Sequence, residues 1–259
     1  MRFSAVAPLL LAPLVTAPAD ASARTLQMID SLEVVDVAGG ASSNCARHAL
    51  HSRMKAFLAA LLSAALLAAA PAPPASQTQR VVLAGGCFWG MQLVFGSLKG
   101  VRSAVAGYAG GAAATAHYEV VSTGATGHAE SVEITYDPAV ISFKQLLDVY
   151  FLVAHDPTEL NRQGPDDGTQ YRSEIFYTTA GQQHEAQALI AQLTRSHAYS
   201  APIVTQLAPL KGFYPAEGYH QNFAVHNPDN PYIVANDLPK LRTLRAKYPQ
   251  LVKPDAPFG

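Results

Sequence analysis

The chain has 259 residues, a mass of 27.4 kDa and a formal charge of −1 from 18 basic and 19 acidic residues. That balance leaves no electrostatic footprint for nucleic acid or an anionic membrane. The two cysteines are too few for a disulfide scaffold or a Cys₄ zinc module, and Cys45 and Cys87 are too far apart in sequence for the close cysteine pair of a Cys₂His₂ module. No apolar run reaches the roughly 20 residues of a spanning helix, which excludes a polytopic membrane protein.

The average conceals two unlike parts. Residues 1–79 hold only two aromatics, Phe3 and Phe57, whereas residues 80–259 hold the other 20. A core needs aromatic and β-branched residues, so the globular domain is expected from Arg80 to Gly259, long enough for one well-buried core. Before it, Met54-Lys55 is followed by the apolar stretch AFLAALLSAALLAAA (56–70) and a polar, Pro-rich linker (71–79). A basic start, a short apolar stretch and small residues are the parts of a secretory signal peptide. As a helix the stretch spans about 22 Å, against a hydrocarbon core of about 30 Å. Residues 54–76 therefore read as an export signal, which places the mature protein outside the cytoplasm, in the periplasm. Residues 1–53 hold a second, proline-interrupted signal-like start. They read as a spurious or unstructured extension, with Met54 the true start and Cys45 outside the enzyme.

Within the domain, Val81–Ala84 reads as a buried strand ending in Gly85-Gly86. Cys87–Phe95 carries apolar residues at helical spacing. Val101–Tyr108 is a second strand, and Ser131–Tyr136 alternates as a half-buried strand does. Ser142 is a candidate N-cap for a helix from Phe143 to Val153. His155–Arg172, rich in Asp, Gly, Pro and Asn, has no periodicity, and loops of that length in a compact domain are usually functional. Glu174–Thr178 is a strand, Gln182–Ser196 a helix and Ile203–Leu207 a last strand. Shorter helices follow at His220–His226 and Leu238–Lys247. The order β-α-β-β-α-β-α-β favours an α+β fold, a two-layer sandwich of helices on a mixed β-sheet, with a ferredoxin-like core.

Cys87 lies where a strand passes through two glycines into a helix. The helix N-terminus offers a positive dipole end, which lowers a thiol pKa. The alternative is a buried structural cysteine, since free Cys packs as a small hydrophobe. Phe88 and Trp89, the only tryptophan, are either an apolar box for a methyl or thioether group or ordinary core. The seven domain histidines form no metal-binding spacing, and no metal is expected.

The hexapeptide Gly85-Gly86-Cys87-Phe88-Trp89-Gly90 resembles the active-site motif of the peptide-methionine (S)-S-oxide reductases, the A-type methionine sulfoxide reductases. Six further blocks stand in that family's order: Gly107–Gly111, Gly127–Glu130, Tyr136–Pro138, His155–Pro157, Gly168–Ser173 and Tyr219–Gln221. The resemblance spans about residues 80–245. It implies Cys87 as the nucleophile that attacks the sulfoxide sulfur and Phe88 and Trp89 as the wall around the substrate methyl. It further implies Glu130 as the acid, Tyr118 and Tyr171 as hydroxyl donors, and Asp166 as a loop carboxylate. Chemically, a carboxyl kept neutral by an apolar pocket can protonate the sulfoxide oxygen as charge builds on it. The implied substrates are oxidised proteins or free methionine sulfoxide, reduced to methionine as oxidative-damage repair. No bound cofactor is implied. Family members often carry resolving cysteines after the nucleophile, and here no cysteine follows Cys87. A sulfenic acid on Cys87 therefore needs an external thiol, a thioredoxin-like protein or a small thiol. A monomer is expected. A different class, a secreted Cys/His hydrolase or acyl transferase with Cys87 paired to His128 or His220, would fail without its histidine, whereas the reductase is expected to tolerate losing either. A secreted binding module with an incidental cysteine is the third class.

Overall fold

The computed structural model describes residues 77–258. The readings made above for residues 1–53, for the signal-like segment and for Cys45 lie outside the described residues. Strand β1 (Gln79–Gly85) leads into helix α1 (Phe88–Gly96) and strand β2 (Val101–Ala109). A one-turn helix α2 (Tyr118–Val121) precedes β3 (Ala129–Tyr136). Helix α3 (Phe143–Val149) continues as a π-turn over Tyr150–Ala154. The two-residue strands β4 (Arg162–Gln163) and β5 (Asp166–Asp167) form a small ribbon ahead of β6 (Ser173–Tyr177). Then come α4 (Ala180–Arg195), β7 (Gln206–Pro209), β8 (Phe213–Pro215), α5 (Phe223–His226) and α6 (Leu238–Lys247).

One six-stranded sheet runs in the order β7-β6-β1-β3-β2-β8. Its pairs are antiparallel except β6 with β7, which makes the sheet mixed. Helix α1 links β1 to β2 across β3, and α3 leads from β3 to β6 on the far side of β1. The strand β1 is central and apolar on both faces, as a doubly covered strand must be. Val81 and Leu83 join the main core with α1, α3, α4 and α6, whereas Val82 and Ala84 pack into a second cluster with Ala109, Ala129 and Phe176. The α+β sandwich expected from the element order is therefore the architecture.

The local chemistry explains the element starts. Ser142 caps α3 in a reciprocal capping box with Gln145: Gln145 N–H donates to the serine Oγ, and the Ser142 N–H donates to Gln145 Oε1. The last helix occupies the expected Leu238–Lys247, with Pro239 in its first turn. Several details differ from the sequence reading: α2 and β8 had no expected counterpart, and the helix expected over His220–His226 is a 3₁₀ turn (Gly218–His220) followed by α5. The helix expected through Val153 leaves α geometry at Tyr150. The last expected strand is shifted to Gln206–Pro209. The aperiodic segment 155–172 holds the β4–β5 ribbon and a 3₁₀ turn, Thr169–Tyr171.

Candidate active site

Cys87 is the N-cap residue of α1, reached through Gly86 at φ +88°. A side chain at residue 86 would also run into Gln163, whose Cγ lies 2.5 Å from the position of a Cβ. The turn that points Cys87 at the helix N-terminus thus needs glycine twice over, for conformation and for space. Glu130, on β3, accepts a hydrogen bond from the Phe88 N–H at 3.1 Å. The first free N–H of the helix that Cys87 caps is therefore bound by the residue expected to be the acid.

The seven residues singled out in the sequence converge on one cavity. Cys87, Phe88, Trp89, Tyr118, Glu130, Asp166 and Tyr171 line a space of about 150 Å³, and Tyr232 completes it. They come from α1, α2, β3, the β4–β5 ribbon, the 3₁₀ turn and the segment before α6. Glu217 sets the first of the phenols: its carboxylate accepts the Tyr118 N–H at 3.0 Å and the Tyr108 hydroxyl at 2.8 Å. Burial works to raise Glu217, but these donors outweigh it and hold the carboxyl below its ordinary value. Arg172 secures the turn that carries Tyr171. It donates to the carbonyls of Thr169 and Gly127 and pairs with Glu174 at 2.7 Å. Asp166 accepts a short hydrogen bond from the Tyr232 hydroxyl.

The aromatic wall is layered. Trp89 stacks on Phe223 at 3.9 Å between centroids, with Tyr232 edge-on at 5.9 Å. The Trp89 indole N–H donates to His220 Nδ1 at 3.2 Å. The His220 ring lies 4.9 Å from Phe88 and 4.5 Å from Tyr118.

The electrostatics fit proton donation. Burial pushes the Glu130 carboxyl up to about 8, Asp166 adds to the rise, and the Phe88 N–H opposes it. At pH 7 the group is largely protonated, as a general acid must be. Burial also raises the Tyr118 and Tyr171 hydroxyls, which keeps both as donors. Cys87 departs from expectation. Burial raises its thiol well above the ordinary value, Glu130 and Asp237 push the same way, and the Trp89 N–H and Lys240 oppose them only in part. The low-pKa thiol expected from the helix N-terminus is thus a protonated thiol here, because desolvation outweighs the dipole.

Neither histidine considered as a base meets that role. His128 Nδ1 accepts from the Gly111 N–H while Nε2 faces the Ala112 carbonyl, and His220 Nδ1 is taken by Trp89. Sequence reasoning gave no role to Tyr232, Phe223 or Glu217. Tyr232 and Glu217 lie in Pro- and Gly-punctuated segments without periodicity, and Phe223 lies in the short helix expected over His220–His226, where nothing in the sequence marked it as the partner of Trp89.

A protonated carboxyl and two phenols around a buried thiol form a site for an oxygen atom that gains charge as sulfur attacks, which is the site of a thiol oxidoreductase. The comparisons agree. The family described as "Peptide methionine sulfoxide reductase" matches residues 79–251. "Peptide methionine sulfoxide reductase MsrA 2" of Mesorhizobium japonicum is 58% identical over 180 residues, 70% of this chain and 91% of that protein. The Synechocystis protein of the same description is 51% identical over 176 residues, 68% of this chain and 82% of its own. Among solved structures, reduced Mxr1 from Saccharomyces cerevisiae aligns with a TM-score of 0.56 at 33% identity, covering 61% of this chain and 90% of Mxr1. Methionine sulfoxide reductase A of Corynebacterium diphtheriae aligns at 0.53 and 32% identity, covering 60% and 77%. The chain belongs to the peptide methionine sulfoxide reductase family.

Proposed function

We propose that Cys87 carries the thiol-dependent reduction of methionine S-sulfoxide, free or in proteins, with the other cavity residues in the roles that follow. The observation that supports this most is the meeting of Cys87 with the neutral carboxyl of Glu130 at one helix N-terminus. The substrate methyl sits against Phe88 and Trp89, and the sulfoxide oxygen faces Glu130, Tyr118 and Tyr171. Cys87 Sγ attacks the sulfoxide sulfur. The oxygen takes the proton of Glu130, and the thiol proton returns to the carboxylate, so Glu130 ends as it began. The substrate S–O bond then breaks as the protonated oxygen passes to Cys87 Sγ, the Sγ–S bond made in the attack breaks with its electron pair left on the substrate sulfur as the thioether lone pair, and Cys87 is left as a sulfenic acid. Developing charge meets donors already in place, which is where such a site lowers the barrier.

Cys87 is the free cysteine among the described residues. The sulfenic acid is resolved by an outside thiol, which forms a mixed disulfide and releases water. A second thiol then frees Cys87. A thioredoxin-like protein or a small thiol fits this chemistry. The signal-like residues 54–76 support an exported, periplasmic enzyme, which a periplasmic extract probed for the protein would test. The central experiment offers both epimers of a methionine sulfoxide substrate to the wild type and to Cys87→Ser, with dithiothreitol as reductant. Turnover of the S epimer alone, lost in the variant, is the expected result. Retained activity in Cys87→Ser, or equal turnover of the R epimer, contradicts the reading.

A further inference from the structure

His220 is buried, 2% exposed, yet nothing in the chemistry above uses it. Its surroundings are those of a working part. The ring contacts Phe88, Trp89, Tyr118 and Tyr219, and so touches both residues of the methyl wall and one hydroxyl donor. Its Nδ1 accepts the Trp89 indole N–H at 3.2 Å. An indole nitrogen can only donate, so Nδ1 must be bare, and the proton of the neutral ring is on Nε2. That Nε2 is buried and has no hydrogen-bond partner among the described residues. Burial holds His220 below its ordinary pKa, against the pull of Glu217, which keeps Nδ1 free to accept. A buried N–H without a partner is a standing cost, and a phenyl ring of similar shape would avoid it. The gain that offsets this cost is the bond made by the other nitrogen.

We propose that His220 is a positioning residue for the reductase reaction: through Nδ1 it fixes the indole of Trp89 in the orientation that holds the substrate methyl against Cys87. Phe223 stacks on the indole and Tyr232 meets it edge-on. Stacking alone lets the indole slide or turn over in its plane. The directed N–H bond is what selects one orientation. The proposal rests on the reading of Phe88 and Trp89 as the methyl wall. It replaces the expectation that the reductase tolerates loss of this histidine.

The test uses four variants in the full chain. His220→Phe keeps ring and volume but removes the acceptor. His220→Asn puts an amide oxygen near the place of Nδ1, whereas His220→Gln carries it out toward Nε2. Trp89→Phe tests the wall itself. The expected result is a fall in kcat/KM of about 10- to 10²-fold for His220→Phe, the scale of a small misplacement of substrate, carried mainly by KM. Asn restores most of the loss and Gln does not. The melting temperature of His220→Phe is unchanged or higher, because the orphaned N–H is gone. Trp89 is the only tryptophan of the chain, so emission excited at the red edge of its absorption reports this one ring. Its maximum shifts in the Phe and Gln variants and returns toward wild type in Asn. Unchanged KM and unchanged emission in His220→Phe, alongside a raised KM in Trp89→Phe, overturn the proposal and leave the wall standing. An unchanged KM in Trp89→Phe overturns the wall and the proposal with it.

Discussion

In the proposed mechanism Glu130 donates a proton near pH 7, which requires its carboxyl to be kept from ionising, and burial on β3 at 3% exposure does so. Glu130→Gln keeps the shape and a weaker donor but supplies no proton. Single-turnover formation of sulfenic acid should slow by about 10²- to 10⁴-fold, the usual weight of a general acid, with little change in substrate binding. In the wild type the same step should decline as pH rises through about 8, where the carboxyl ionises. A rate in the Gln variant equal to wild type removes Glu130 from the mechanism. Cys87 carries the complementary expectation. Its thiol is protonated in the resting enzyme, so iodoacetamide should alkylate it slowly at pH 7, and the rate should keep climbing with pH beyond the range of an ordinary thiol. Fast alkylation at neutral pH would show a thiolate that these surroundings disfavour. Cys87 and Glu130 were legible through the family resemblance, because each sits in a short block that matches the family's motif. The state of the thiol was not. The helix dipole follows from local sequence, whereas the carboxyls of Glu130 and Asp237 reach Cys87 from residues 43 and 150 positions away.

At the scale of elements, the first turn of α1 is where distant segments compete for space. A Cβ on Gly90 would lie 2.0 Å from Asp237 Oδ1 and 3.0 Å from Lys240 Nζ, so the last glycine of the hexapeptide admits this ion pair onto the helix. Asp237 is fully buried and has no room to swing away. Gly90→Ala should therefore destabilise the fold by about 1–3 kcal/mol despite the better helix propensity of alanine, read as a lower urea midpoint. An unchanged or higher midpoint would mean that the pair relaxes freely. The same contrast explains which elements could be read from sequence. Leu238–Lys247 and the Ser142 cap carry their own signals, periodicity and a capping box, and they were found. Strand β8 is three residues, Phe213–Pro215, defined by pairing with Gly107–Ala109, and α2 is a single turn held through Glu217. Elements that short have no period of their own, and their existence depends on partners about 100 residues away. The π-turn at Tyr150 likewise follows from tertiary contacts, since the Tyr150 hydroxyl bonds to the Ala84 carbonyl and Ser173 on neighbouring strands.

Across the whole molecule, two buried groups set opposite pH dependences on stability. The His155 ring sits between the Tyr150 carbonyl and Ser173, and burial lowers it from 6.5 to about 4. Its unfolded counterpart binds a proton below 6.5 while the folded ring stays neutral, so its contribution is present above that pH and is lost as pH falls toward 4. Glu130 acts in the other direction. Its carboxyl ionises near 4.5 when unfolded and only at about 8 when folded, so its contribution is present at acid pH and is lost as pH rises from 4.5 to 8. Between about 4.5 and 6.5 the two slopes oppose one another, and above 6.5 the loss from Glu130 stands alone. At about 1.4 kcal/mol per pKa unit each group spans a few kcal/mol. Urea midpoints from pH 4 to 8.5 should therefore show Glu130→Gln gaining on the wild type steadily up to about pH 8, so the variant that loses catalysis becomes the more stable protein. His155→Gln, compared with wild type over the same range, should lose the slope between 4 and 6.5 while its offset stays constant above. A Glu130→Gln variant whose advantage is independent of pH would show that Glu130 is ionised in the fold, and with it the proton that the reaction needs would have to come from elsewhere.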